Sequence, residues 1–185
     1  MKRVLLTAAV ALLIPSLVGA WTPTMGVYFS GKLTYTPDAP YHSFLASLVI
    51  VQSDYYVTGV EYSLVTPNDP THTQLGIISA TYPPNFSLEI GTPFDGHALT
   101  FWPPMTGYPE GYDLLVTYEF MTFEPCSQMW DYPIVVSADP SSGELRGTYA
   151  PDNDLFDIIG LTSYLCIDQI AVEEGSWGAV KSMYK

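Results

Sequence analysis

The chain has 185 residues, of which 48% are hydrophobic and only 14% are charged, and 19 acidic residues stand against 6 basic ones. The net charge of −13 repels phosphate backbones, so nucleic-acid binding is excluded as a function. A chain of this length and hydrophobicity is long enough for one domain with a substantial core.

Residues 1–20 have the three-part order of a secretory signal peptide. Lys2 and Arg3 precede an apolar run, and small residues end the segment, so cleavage is predicted between Ala20 and Trp21. The apolar run is shorter than the roughly 20 residues that cross a bilayer, and no second run follows. We therefore expect a secreted chain, extracellular or periplasmic, without a transmembrane segment; loss of two leader cations lowers the net charge to −15.

The mature chain shows the periodicity of β-strands. Apolar or alternating runs recur with turn residues at intervals of about 8 to 12 residues. In chain order the predicted strands are GVYF, FLASLVIVQ, GVEYSLV, LGIISATY, FSLEI, LLVTYEFMTF and YLCIDQIAV, with two more in PIVVSADPSSGELRGTYA. In FSLEI the alternation predicts a half-buried strand with Phe86, Leu88 and Ile90 on its buried face.

This pattern predicts an all-β protein, specifically an antiparallel β-sandwich of immunoglobulin-like or cohesin-like type. Helices do not alternate with the strands, which argues against a parallel sheet. The segment PIVVSADPSSGELRGTYA is predicted to form a hairpin, in which residues 134–138 pair with residues 145–149 across a turn at Asp139 and Pro140.

Four aromatic residues are candidates for ligand binding: Trp102, Tyr108, Tyr112 and Trp130. Three of them lie in the stretch FWPPMTGYPEGYD, where the prolines restrict the backbone and display the rings at low entropic cost. Such rings stack on sugars or pack against proteins. In the favoured alternative, Phe101 and Trp102 end a strand and are buried, and the prolines only prevent edge pairing.

Two cysteines, Cys126 and Cys166, remain in the mature chain. In an oxidising compartment an isolated pair forms a disulfide, and this is the prediction here. The two residues lack the close spacing and the additional ligands of a zinc site.

The segment APDNDLFD suggests a calcium site with Asp152, Asn153, Asp154 and Asp157 as oxygen ligands. Its spacing differs from that of the standard calcium-binding loop, since the central glycine and the final glutamate are missing. A metal-free turn is the favoured interpretation, and no other cofactor is expected.

The chain ends with EEGSWGAVKSMYK, which predicts a short amphipathic helix in a tail of residues 173–185 after a sandwich domain of residues 21–172. Trp177, Val180 and Tyr184 lie on one helical face. Because so short a helix does not persist alone in water, the tail is expected to dock on the domain or to act as a sorting segment.

Several segments resemble a group of uncharacterised exported β-sandwich proteins of environmental bacteria. They are the signal peptide, MGVYF, the DPSSG turn between the two cysteines, and SWGAVKSMYK. This resemblance implies secretion and a sandwich fold. The run VTGVEYSLV is also similar to cohesin-like and carbohydrate-binding sandwiches.

The sequence contains no catalytic motif. His42, His72 and His97 are separated from one another and are predicted in loops or at the surface, and no nucleophile elbow or zinc helix is present. The leading interpretation is a secreted, non-catalytic interaction or structural module whose partner is a protein or glycan at the cell exterior. The alternatives are a carbohydrate-binding module that uses the exposed aromatic residues, and a secreted hydrolase.

Overall fold

The computed structural model describes residues 22–37, 40–51, 56–106 and 111–167. The predicted signal peptide and the predicted C-terminal helix both lie outside these residues. No helix in the described part of the chain has the length and hydrophobicity to cross a membrane.

Thirteen strands and one turn of 3-10 helix make up the regular structure of the described residues. The strands are β1 (Thr24–Tyr28), β2 (Thr34–Tyr35), β3 (Ser43–Val51), β4 (Val57–Val65), β5 (Leu75–Thr81), β6 (Phe86–Thr92), β7 (Gly96–Met105), β8 (Tyr112–Thr122), β9 (Tyr132–Ser137), β10 (Arg146–Tyr149), β11 (Asp154–Asp157), β12 (Ile159–Gly160) and β13 (Thr162–Leu165). The 3-10 turn, Cys126–Gln128, lies between β8 and β9.

The strands form two sheets that pack face to face. The first sheet has the order β12-β1-β3-β8-β5. In the second sheet, β11-β10-β4-β9-β13-β2 form a continuous path, and β7 pairs with the other side of β4 and carries β6 at its free edge. Only the short β12 and β2 pair in parallel with a neighbour in the described residues. The prediction of an all-β sandwich is confirmed.

The core lies between the two sheets and is filled by alternate residues of the long central strands. Tyr62 and Leu64 of β4 are completely buried, as are Leu48 and Ile50 of β3. Strands β3 and β8 occupy central positions in the first sheet, which explains their nearly continuous apolar sequences.

The predicted hairpin between β9 and β10 is not formed. Both strands pair with β4 on the same side, one after the other: Ser137 lies opposite Ser63, and Arg146 lies opposite Glu61. With nine residues, β4 is long enough to accept both partners in line. The intervening loop is tightened by the Asp139 carboxylate, which accepts hydrogen bonds from the backbone amide and the hydroxyl of Ser141.

A disulfide joins Cys126 to Cys166, as predicted from the sequence. It connects the 3-10 turn that follows β8 of the first sheet with the residue that follows β13 of the second sheet. The bond therefore ties the two sheets together across a sequence separation of 40 residues.

Replacement of both cysteines by alanine is expected to lower the free energy of unfolding by about 2 to 4 kcal/mol, because the unfolded chain regains the entropy of an open loop. Urea denaturation followed by circular dichroism measures the difference. Reduction of the wild-type disulfide should give a shift of similar size. Equal stability of the oxidised wild type and the double variant would contradict the structural role given to this bond.

Candidate functional site

A row of paired residues crosses the outer face of the second sheet, with leucines at its two ends and two threonines and a glycine between them. The pairing registers place Leu88 of β6 beside Thr100 of β7, Thr100 beside Gly59 of β4, Gly59 beside Thr148 of β10, and Thr148 beside Leu155 of β11. Paired residues share one face of a sheet, so the row runs over five adjacent strands. We call these five residues, together with Ile90 and Trp102, the outer strip.

The larger side chains of the outer strip are exposed to solvent. The exposed fractions are 53% for Leu88, 60% for Leu155, 65% for Ile90 and 73% for Trp102. Single exposed apolar residues are common on soluble proteins, but Leu88, Ile90 and Trp102 lie together on the neighbouring strands β6 and β7, and such a group on one sheet face indicates a contact surface. The outer strip is therefore the candidate functional site.

Gly59 produces a shallow depression in the middle of the outer strip. A Cβ atom at this position would lie 2.9 Å from Thr148 Oγ1 and 3.2 Å from the carbonyl oxygen of Leu99, so the strands leave no room for a side chain. The depression has a volume of about 170 Å³. Leu155, Ala98 and Thr100 contribute to its lining. It has room for an apolar side chain of a binding partner.

Paired charged side chains lie beside the depression. Arg146 beside the depression donates a hydrogen bond to Glu61 at 2.8 Å and also contacts Glu144. Its guanidinium pKa is raised, chiefly by the hydrogen bond to Glu61. Arg146 and Lys32 are the lysine and arginine residues of the described part of the chain, so little positive charge offsets the acids. The outer strip thus presents exposed apolar side chains on a chain with a large excess of acidic residues.

Trp102 is exposed, whereas the favoured interpretation of its segment expects both Phe101 and Trp102 to be buried. Phe101 is buried with only 2% of its surface exposed, whereas Trp102 points outward on the opposite face of β7. The difference follows from the alternation of a strand, because β7 continues through Pro103 to Met105 and does not end at the aromatic pair. Burial of both aromatic residues was therefore a wrong expectation.

The other aromatic candidates lie elsewhere. Tyr112 begins β8 in the first sheet, and Trp130 is exposed just before β9. Along β4, Trp102 lies toward the Val57 end and Trp130 lies beyond the opposite end, so these two rings do not form one platform. Tyr108 is outside the described residues. Ligand binding by the other rings stays a prediction.

A matched pair of substitutions tests the orientation of β7. Phe101→Ala should lower the free energy of unfolding by about 3 to 5 kcal/mol, because it leaves a cavity in the core. Trp102→Ala should change it by less than about 0.5 kcal/mol, because the ring is exposed. Chemical denaturation of both variants measures these values, and similar losses in the two variants would show that the assigned faces are wrong.

The predicted calcium ligands lie in an exposed hairpin. Asp152 and Asn153 form the turn between β10 and β11, and Asp154 and Asp157 are the two ends of β11. The Asn153 side-chain oxygen accepts a hydrogen bond from the Thr58 hydroxyl at 3.2 Å. Across the described residues, no three His, Cys, Asp or Glu side chains are grouped so that they could hold a metal. Calcium binding by this segment stays a prediction.

Asp69 is a buried carboxylate with a structural function. It accepts hydrogen bonds from the Thr73 and Gln74 backbone amides at 3.0 and 2.7 Å, from the Thr71 and Thr73 hydroxyls at 3.3 and 3.1 Å, and from the Tyr132 hydroxyl at 3.1 Å. Burial alone would raise the pKa of Asp69, but these hydrogen bonds outweigh it and lower the pKa to about 2. The carboxylate thereby ties the loop between β4 and β5 to β9.

Asp69→Asn is expected to lower the free energy of unfolding by about 2 to 3 kcal/mol at neutral pH, because an uncharged amide is a weaker and incomplete acceptor for these donors. The folded pKa of Asp69 lies below its unfolded value of 3.8, so the stabilisation is present above pH 4 and is lost as the pH falls toward 2.

Urea denaturation of the wild type and Asp69→Asn at several pH values checks this expectation. The other acids titrate in both proteins, so the difference between the two curves isolates Asp69. A difference that stays constant down to pH 2 would contradict the hydrogen-bonded role of the ionised carboxylate.

His97 was predicted in a loop or at the surface, but it lies on β7 and is buried between the sheets. Its Nδ1 is 2.9 Å from the Tyr62 hydroxyl and 3.2 Å from the Tyr118 hydroxyl, and the two hydroxyls also bond to each other. On the other side of the ring, Nε2 is 3.5 Å from Glu89 Oε2. We call these four residues the His97 cluster.

Burial controls the protonation of the His97 cluster. It raises the pKa values of Tyr62 and Tyr118 well above the usual range of a phenol. Burial also lowers the pKa of His97, although the neighbouring Glu89 carboxylate opposes this shift. At neutral pH the cluster therefore contains two phenols and a neutral imidazole. One signal of the burial is present in the sequence: His97 shares the alternation of Leu99 and Phe101.

Comparison with protein-family models gives no match, and comparison with curated proteins gives none. Solved structures do match. The CaCohA2 module of Clostridium acetobutylicum, in its complex with a CaDoc0917 variant, has a TM-score of 0.53 and 14% identity, over 80% of this chain and 100% of that chain. The third ScaB cohesin of R. flavefaciens, in complex with a group 1 dockerin, has a TM-score of 0.51 and 8% identity, over 80% of this chain and 98% of that chain.

At identities this low the comparison shows the fold alone, and it defines the chain as a β-sandwich of cohesin-like architecture. The similarity of VTGVEYSLV to cohesin-like sandwiches agrees with this result. The resemblance to exported proteins of environmental bacteria finds no support in these comparisons.

Proposed function

We propose that this protein is a secreted, non-catalytic module that binds another protein through the outer strip. The observation that carries the proposal is the group of exposed apolar side chains of Leu88, Ile90 and Trp102 at one end of the outer strip, with Leu155 at the other end and the Gly59 depression between them. Structures with the same architecture contain dockerin partners, which supports protein binding by a sandwich of this type.

The chemistry of the strip defines the partner. Burial of each exposed leucine or isoleucine side chain stabilises a complex by about 1.5 to 3 kcal/mol before the costs of association are subtracted. The net negative charge of the chain favours partners with basic residues at the edge of their contact surface, because complementary charges accelerate association and disfavour acidic competitors. The expected partner is therefore a protein with an apolar centre and a basic rim, and the predicted signal peptide places the encounter outside the cytoplasm.

A paired comparison of variants tests this proposal. Leu88→Ser with Leu155→Ser removes apolar side chains from the strip, and Leu45→Ser with Ile78→Ser makes the same chemical change at exposed positions of the first sheet. Immobilised wild type and the first-sheet variant should retain the same proteins from the surface and culture-fluid fractions of the producing organism. The strip variant should retain at least tenfold less of them.

The affinity of each retained protein is then measured by titration calorimetry with the purified pair. Both double variants should keep the stability of the wild type, because all four side chains are exposed. Equal binding by the strip variant and the wild type would refute the assignment of the binding surface.

Carbohydrate binding is the second candidate, and the exposure of Trp102 favours it. A flat ring with 73% of its surface accessible is available to stack on a sugar. Affinity electrophoresis in neutral polysaccharides should then show retardation that Trp102→Ala abolishes and Trp130→Ala leaves in place. The secreted-hydrolase alternative gains no support from His97, because the ring is enclosed in the core.

A further inference from the structure

Strand β6 lies at the edge of the second sheet and has a partner strand on one side. It pairs with β7 alone, and every residue from Ser87 to Thr92 is exposed. Glu89 lies opposite the buried Leu99, so its side chain is on the inner side of the strand. There the carboxylate accepts a hydrogen bond from the Tyr82 hydroxyl and faces His97 Nε2. Glu89 is thus the polar link from β6 to the interior.

The hydrogen bonds of the His97 cluster are complete when the imidazole is neutral. Nε2–H points to the Glu89 carboxylate, and Nδ1 accepts the proton of the Tyr62 hydroxyl. The Tyr62 oxygen then accepts the proton of the Tyr118 hydroxyl. Each buried donor has an acceptor in this arrangement.

Protonation of His97 reverses the direction of two of these hydrogen bonds. Nδ1–H becomes a donor, so the Tyr62 proton must turn toward Tyr118, and the Tyr118 proton then lacks an acceptor among its described partners. A buried hydroxyl without an acceptor and a buried imidazolium are both unfavourable. Water reaches the cluster when β6 moves away from the core. Because β6 pairs with β7 alone, this opening breaks fewer strand contacts than the separation of a central strand would.

The groups that face His97 come from each element packed around it. They are Tyr62 of β4, Tyr82 before β6, Glu89 of β6 and Tyr118 of β8, and the Asp139 carboxylate lies against Gly96, the residue before His97. The two carboxylates favour the imidazolium, but burial outweighs Glu89 and the pKa of His97 is lowered. Opening returns the pKa toward 6.5, so acid favours the open form below that pH.

We propose that the His97 cluster is an acid-sensitive device that releases β6 from the sandwich as the pH falls from 7 toward 5. Leu88 and Ile90 lie on either side of Glu89 in the chain and belong to the outer strip. Release of β6 therefore removes one end of the strip from its place on the sheet. This consequence for binding rests on the proposed function, whereas the release of β6 does not.

Hydrogen exchange measured with the protein alone tests the release. Protection factors, corrected for the intrinsic pH dependence of exchange, are compared for β6 amides and for β3 amides such as those of Leu48 and Ile50. In the wild type the β6 protection should fall about tenfold relative to β3 between pH 7 and pH 5, because the open form takes up a proton that the closed form binds less readily. His97→Gln should show no such pH dependence.

A second variant keeps the test decisive if His97→Gln fails to fold. Glu89→Gln retains a side chain of similar shape but removes the charge that favours the imidazolium in the closed form. The loss of β6 protection should therefore begin at the same pH as in the wild type and be larger at pH 5. The His97 ring is titrated by NMR in both proteins. The proposal is overturned if β6 protection is independent of pH in the wild type, or if Glu89→Gln shows the same pH dependence as the wild type while its His97 pKa is lower. Failure of the binding experiment with normal β6 release would instead refute the proposed function alone.

Discussion

The register between β4 and β7 is the constraint on which the core and the outer strip both depend. It places Tyr62 opposite His97 on the inner face and Gly59 opposite Thr100 on the outer face. Because side chains alternate along a strand, a shift of one residue would exchange the two faces. The same pairing therefore buries the His97 cluster and exposes the row of residues that we assign to binding.

The sequence contains enough information to identify most of the strands, since their apolar alternation is local. Strand β4 follows the prediction closely, with Val60, Tyr62 and Leu64 buried. For β6 the predicted buried face is right at Phe86, which packs against the core, but wrong at Leu88 and Ile90, which are exposed beyond a register shift between Phe86 and Leu88. The reason is nonlocal: β6 is an edge strand, and its inward Glu89 finds partners in side chains brought in by other segments.

The candidate site was beyond sequence reasoning for a related reason. Its row joins Gly59, the segment from Leu88 to Trp102, and the segment from Thr148 to Leu155, which only the sheet brings together. Strand β10 reaches that row because it pairs with β4 next to β9, along the same edge of β4. The turn residues between β9 and β10 instead predicted that these two strands pair with each other. By contrast, the disulfide required only two cysteines and an oxidising compartment.

The inner and outer faces of β6 and β7 are coupled because successive residues of each strand point to opposite faces and share one backbone. Ala98 of the outer face adjoins His97, and Ile90 adjoins Glu89. A side chain that moves on the inner face therefore displaces the backbone that presents the outer one. Partner contact across β6, β7 and β4 would in turn hold the three strands together and disfavour opening of the His97 cluster, since a ligand that binds only the closed form stabilises that form.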